Sequence, residues 1–332
     1  MALSWTEAQT KVLAAGSGTP FELMEADIRG VKMDVFKNCP PNLALVLQNA
    51  RNFGDATFII YEGEKWTFEK TMDQVDGLCH LLVNTYGVKK GDRVAVAMRN
   101  FPEWIMAFAA IISIGAVNVS FNAWWTEDEM DFALQDSGAK VLIGDQQRID
   151  TAHASCRRHD IKMLCVRPER EVGADVDDWA AVVKTGLGPL VADISLDDDA
   201  TILYTSGTTG FPKGVILTHD MMLRTAFGSA WARGFEDARR ILFSLPLYHV
   251  YGYVEGLLAC MFVGGAIIPQ TRFDAKDTLV AIETHQATDI LLIPAMTLAL
   301  IDEQKIHPQP LPSLRAVLSS GGRAPATIWQ QI

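Results

Sequence analysis

Tyr204-Thr205-Ser206-Gly207-Thr208-Thr209-Gly210-Phe211-Pro212-Lys213-Gly214 packs hydroxyls, three glycines and a lysine between two apolar segments. Glycines let backbone N–H groups turn toward an anion at positive φ, and Ser, Thr and Lys side chains add further donors, so the run reads as a phosphate cradle. A flexible connector has a similar composition. The flanks argue against it: Ala200-Thr201-Ile202-Leu203-Tyr204 and Val215-Ile216-Leu217-Thr218 both read as buried strands, which places the loop between ordered elements. The run is not a Walker A loop, because Pro212 precedes Lys213 and Gly214 follows it, leaving no adjacent hydroxyl for Mg²⁺.

Outward from the loop, short β-branched runs alternate with helical patterns. Val94–Met98, Val117–Val119, Val141–Ile143 and Met163–Val166 read as strands, with helices opening at Pro102 and near Thr126, where Glu129 completes a capping-box pattern. After the loop come a helix from His219 and strands at Ile241–Phe243, Ala266–Ile268, Ile290–Leu292 and Ala316–Leu318. Helices are expected after Gly252, from Asp274 and after Pro294. Such alternation predicts an α/β fold of two stacked subdomains, mostly parallel sheets covered by helices, with ligands beyond the carboxyl ends of the strands. The acidic, glycine-containing stretch 171–199 reads as a connector. The expected division is an N-terminal arm over 1–50, a first subdomain over 51–190 and a second over 191–332 that carries the phosphate loop.

Composition narrows the function classes. In 332 residues, 49% are hydrophobic and 21% charged, as in an ordinary globular protein, and 29 basic against 40 acidic residues give −11, which argues against nucleic acid or an anionic membrane as partner. Five cysteines without a Cys-x-x-Cys pair indicate neither a disulfide framework nor a zinc site, and a reducing cytoplasm is the expected location. His153 and Cys156 lack a second ligand pair, so no structural metal is assigned. The apolar run from Trp104 to Val117 is interrupted by Ser113 and Gly115, and fits a buried helix better than a membrane span.

The loop resembles the phosphate-binding signature of the adenylate-forming, or AMP-binding, superfamily of acyl-CoA synthetases, luciferases and peptide-synthetase adenylation domains. Leu245-Pro246-Leu247-Tyr248-His249-Val250-Tyr251-Gly252 is similar to that family's proline-histidine-glycine segment at the acyl pocket, and Leu318-Ser319-Ser320-Gly321-Gly322-Arg323-Ala324-Pro325 to the stretch lining its adenine and acyl sites. The three follow in the family's order. The resemblance implies an acyl-CoA synthetase-like N-terminal domain that stops before the family's small barrel and C-terminal lid.

The implied chemistry converts a carboxylic acid and ATP, with Mg²⁺, into an acyl-adenylate and pyrophosphate; coenzyme A then displaces AMP. Thr205, Ser206, Gly207, Thr208, Thr209, Gly210 and Lys213 match triphosphate-binding positions. His249, beside the acyl carboxylate in the family, and Lys213 are the expected catalytic groups. Gly321, Gly322 and Arg323 are expected near the nucleotide, and His249, Gly252 and Met296 near the acid. Gly256 and Ala259, small residues on the helix after Gly252, favour a medium- or long-chain fatty acid, as does the likeness of Asn122–Thr126 to bacterial fatty acyl-CoA synthetases. An aryl-CoA ligase or an acyl-AMP ligase loading a carrier protein stays open, as do a non-catalytic nucleotide- or acyl-binding module and a homo-oligomer. Amino-acid adenylation is disfavoured, since no aspartate follows the proline-rich segment to hold an amine.

Overall fold

Period-2 runs with both neighbours apolar bury both faces, and the chain assembles such strands into two sheets separated by a layer of helices. The computed structural model describes residues 7, 18–19, 22–205, 212–232 and 239–322. An antiparallel hairpin, β1 (Leu23–Ile28) and β2 (Val31–Phe36), precedes helix α1 (Leu43–Ala50). Next come β3 (Thr57–Tyr61), β4 (Glu64–Thr67) and α2 (Phe68–His80), which runs on through a π-helical turn at Leu81–Thr85. The alternation then follows the sequence pattern: β5 (Arg93–Ala97), α3 (Pro102–Ser113), β6 (Val117–Ser120), α4 (Glu127–Ser137), β7 (Val141–Asp145), α5 (Gln146–Arg158) and β8 (Lys162–Val166). The acidic connector contributes only a short edge strand, β9 (Val176–Asp178), and one turn, α6 (Trp179–Val182).

The hairpin β10 (Asp199–Thr205) and β11 (Lys213–Thr218) leads into α7 (His219–Ala232) and β12 (Arg240–Phe243). A π-helix over Tyr251–Leu258 continues as α8 (Ala259–Val263), and β13 (Ala266–Pro269), α9 (Ala275–His285), β14 (Asp289–Leu292), α10 (Pro294–Ile306) and β15 (Ala316–Ser319) complete the described chain.

One sheet has the order β11-β10-β6-β5-β7-β8-β9 and the other β15-β14-β12-β13-β3-β4. All neighbours are parallel except the edge pairs β10·β11 and β3·β4. Val94, Val96, Ile241, Phe243 and Leu291 point into one shared core with α1, α2, α3 and the π-helix, so these helices lie between the sheets. Ala95, Ala97 and Leu142 face α4 and α5 on the outside of the first sheet, while Leu242, Ile290 and Leu292 face α9 and α10 on the outside of the second. All twelve residues of α3 are buried, which accounts for the long apolar run as the central helix of this layer; Gly115, at φ +68°, follows its end. Among the described residues no helix is long and apolar enough to cross a membrane.

Two expectations change. The sheets cross the division at residue 190: β3 and β4 join the second sheet, and the phosphate hairpin joins the first, where Thr201 pairs with Asn118 and donates from Oγ1 to its carbonyl at 2.8 Å. The connector makes this possible by running back along the first layer, with Ala192 N–H donating to Ser113 O at 2.9 Å and Asn42 Nδ2 to Ile194 O at 3.2 Å. β11 is not buried: Val215 and Ile216 are 42% and 52% exposed, because it is an edge strand, which hydrophobicity alone does not distinguish from a central one. In the 1–50 arm, Phe36 of the hairpin packs on Phe227 of α7 at 5.5 Å.

Candidate functional site

The carboxyl ends of β6 and β10 open into a cleft of about 970 Å³ whose opposite wall is the turn after β12. Thr205 is the last residue of β10 and pairs with Lys213, the first of β11. Alternation along the strands puts Leu203 and Thr205 on the same face as Lys213, Val215 and Leu217. Leu203, Thr205, Val215 and Leu217 line the cleft, so Lys213 stands at its edge on the same face. Ser206, Gly207, Thr208, Thr209 and Gly210, the remaining phosphate-loop candidates, lie outside the described residues, as does Arg323.

His249 comes from the second layer and lines the same cleft. Its turn is closed by His249 N–H donating to Pro246 O at 3.1 Å and by Gly252 N–H donating to His249 O at 2.9 Å. The Tyr251 N–H donates to His249 Nδ1 at 3.3 Å, which leaves Nε2 to carry the proton of the neutral ring. The side chain is open to the cleft, yet desolvation by the walls lowers its pKa below the ordinary imidazole value, so the neutral form dominates at pH 7. A neutral ring with Nε2–H can donate to a carboxylate without forming a competing ion pair.

The cleft walls are aromatic. Tyr204 stands edge-on to Trp125 at 5.6 Å and donates its hydroxyl to Asp136 Oδ2 at 2.7 Å. Burial, reinforced by Asp136, raises the phenol pKa, so Tyr204 stays neutral. Trp124 is 65% exposed at the mouth, with the Arg99 guanidinium 4.6 Å and that of Arg148 5.5 Å from its ring. Glu129 also lines the cleft, but its Oε2 accepts from Thr126 N and Oγ1 at 2.8 and 2.9 Å, so it is occupied in the helix cap.

The other candidates stand apart from this wall. Gly252 is a packing glycine: a Cβ there would meet Pro246 O at 2.4 Å. Met296, on α10, packs between the shared core and the outer core of the second sheet. Gly321, at φ +81°, and Gly322 follow β15 and lie against Ile293 and Pro294. Tyr251 joins their segment to the His249 turn by donating its hydroxyl to Leu318 O at 2.8 Å. Gly256 does not open a tunnel, since a Cβ on it would lie 2.8 Å from Phe243 Cε1 and the space is already filled by that ring.

Among the described residues no group of three or more His, Cys, Asp or Glu side chains is placed to hold a metal. His153 contacts Asp175 at 3.1 Å while Cys156 is buried, so the two do not form a ligand pair. None of the five cysteines, all among the described residues, is in a disulfide, and burial pushes the Cys39, Cys79, Cys156 and Cys165 thiols up to about 12.

Sequence reasoning missed Asn100. It lies at the carboxyl end of β5, where ligands gather in doubly wound sheets, but Asn before Phe101-Pro102 reads as an ordinary helix-start residue. The α3 N-cap is Phe101, without a side-chain hydrogen bond, and the Asn100 amide is used elsewhere.

The chain belongs to the AMP-binding enzyme family, whose pattern matches residues 46–332. It is 31% identical over 286 residues to the 2-succinylbenzoate–CoA ligase of Bacillus velezensis, covering 86% of this chain and 55% of that protein. With the long-chain-fatty-acid–CoA ligase of Bacillus subtilis it shares 27% identity over 316 residues, 87% of this chain and 56% of the relative. The fold superposes on the o-succinylbenzoate coenzyme A synthetase of Bacillus subtilis in complex with AMP with a TM-score of 0.73 at 27% identity, covering 88% of this chain and 56% of that one. The chain therefore spans little more than half the length of these relatives.

Proposed function

We propose that this chain supplies the ATP- and acid-binding part of an acid–thiol ligase that adenylates a ring-bearing carboxylic acid and passes the acyl group to coenzyme A. The observation that carries the reading is the shared cleft: the strand ends flanking the phosphate loop form one wall and His249 the other. In the reaction a carboxylate oxygen attacks the α-phosphorus of ATP, the bond to the bridging oxygen breaks, and pyrophosphate leaves with that electron pair. Two anions must meet for this to happen. Thr205, Lys213 and the loop between them offset the repulsion by holding the β- and γ-phosphates, and His249 Nε2–H holds the acid in line. Mg²⁺ would be carried by the triphosphate and would neutralise charge there. Coenzyme A thiolate then attacks the acyl carbon and AMP leaves.

A compact aromatic acid fits better than a long chain. Trp124, Trp125, Tyr204 and Tyr248 supply flat apolar walls, whereas the route past Gly256 is filled by Phe243. The 31% identity to a 2-succinylbenzoate–CoA ligase supports the same reading. A fatty acid is the second reading, supported by the 27% identity to a long-chain-fatty-acid–CoA ligase. The test is calorimetric titration of the chain with benzoyl-, acetyl- and dodecanoyl-adenosine sulfamates, non-hydrolysable mimics of the adenylate. Tightest binding of the benzoyl compound is expected. A steady gain with chain length would transfer the assignment to fatty acids, and affinity equal to that of AMP for all three would remove the acid site altogether.

A further inference from the structure

The Asn100 side chain is 4% exposed and spends its amide wholly across the layer boundary. Nδ2 donates to Leu245 O at 2.8 Å and to Gln270 O at 2.9 Å, and Oδ1 accepts from Leu247 N–H at 2.8 Å. These backbone groups sit in the loops after β12 and β13, at the carboxyl ends of the second sheet, whereas Asn100 lies three residues past the end of β5 in the first. Leu245 and Leu247 flank Pro246, the residue whose carbonyl closes the His249 turn. On the other side, β5 pairs with β6 and β6 with β10, the strand that ends in Thr205. A path of ladder hydrogen bonds from the phosphate hairpin to β5 thus continues along the short backbone segment Met98–Arg99 to Asn100, and through its amide to the histidine turn.

We propose that Asn100 is a positioning residue: its amide ties the turn presenting His249 to the end of β5 and thereby sets the spacing between the acid-holding histidine and the phosphate hairpin. The inference rests on the reading of His249 as the group that holds the acid. The residue type is dictated by the site, which needs two donors and one acceptor on a short planar group, and among uncharged side chains of this size only an amide offers them. Aspartate has the same shape and keeps the acceptor, but faces two carbonyls with no donors when ionised. Serine is too short to span all three groups directly.

A double-mutant cycle in the 332-residue chain tests this, with affinities for benzoyl-adenosine sulfamate and for AMP measured side by side. In Asn100→Asp the sulfamate is expected to bind about tenfold or more weakly while AMP changes less than about threefold, because only the acid half of the cleft loses its register. In the His249→Ala background the same substitution is expected to cost less than about twofold, since its effect is routed through a ring already removed. Asn100→Ser, with room for a bridging water, is expected to fall between the parent and Asn100→Asp, and it decides the matter if the aspartate variant does not fold. Equal weakening of AMP and sulfamate, or costs that add across the cycle, would overturn the inference while leaving the acid site standing. A parent chain that binds the sulfamate no better than AMP would overturn both.

Discussion

His219 should make this fold sensitive to acid between pH 7.5 and 5, mostly above the range in which carboxylates titrate. It begins α7, is fully buried, and neither Nδ1 nor Nε2 has a hydrogen-bond partner among the described residues. Desolvation lowers its pKa from 6.5 to about 4; nearby Asp198 pulls the other way, and Lys90, itself paired to Asp198 at 2.7 Å, adds to the lowering. Because the folded value lies below the unfolded one, the unfolded chain binds more protons on acidification, so stability is full above pH 6.5 and falls until about pH 4. Integrating the linkage relation from pH 7.5 to 5 gives a loss of ~2 kcal/mol from this group, and ~3 kcal/mol once pH falls below the folded value. His219→Leu should remove that part of the slope. At pH 7.5 it should be neutral or stabilising by ~1 kcal/mol, because an unpartnered buried imidazole gives way to an apolar side chain. Urea unfolding of both chains at pH 7.5 and 5 measures the difference, and subtraction cancels the contributions of His249 and His285, whose pKa values are also lowered by burial. Equal acid slopes in the two chains would refute the reasoning, and so would a variant destabilised by more than ~2 kcal/mol at pH 7.5, which would mean that the ring nitrogens have partners.

Gly252→Ala should destabilise the chain by ~1–3 kcal/mol in urea unfolding, since the new methyl meets backbone at Pro246 O rather than a movable side chain; an unchanged midpoint would refute this. Thr126→Ala removes the hydroxyl half of the capping box at the start of α4, leaving the Glu129 carboxylate on the residue 126 backbone N–H, and should cost ~1 kcal/mol in the same assay. Lys213→Ala should weaken ATP binding about tenfold or more and AMP binding about twofold or less, because the cation serves the outer phosphates. Calorimetry with the two nucleotides separates these outcomes, and equal losses would place Lys213 elsewhere.

Local signals were legible and long-range ones were not. Thr126 with Glu129, Pro102 and Pro294 at first helical turns, and Asp274 before α9 all act as their sequence contexts imply. Each depends on neighbours within one turn. The strand to which β10 adds depends instead on Asn118 meeting Thr201 across 83 residues, and nothing local reports it. The same holds for the site. Thr205 and His249 could be found from their motifs, and the cleft brings both together. Gly256 was misread because a small residue makes room without saying for what, and here Phe243 takes the space. Asn100 carried no signal, since its three partners are backbone groups on loops more than 140 residues away.

The central claim is that acid and nucleotide meet in the cleft between the phosphate hairpin and the His249 turn. A co-crystal structure of the chain with benzoyl-adenosine sulfamate tests it most directly. The account predicts the sulfamate linkage between Thr205 and His249, with a carbonyl-side oxygen within hydrogen-bonding reach of Nε2 and the ring against the Trp124–Trp125 wall. Ligand bound away from both residues would contradict it.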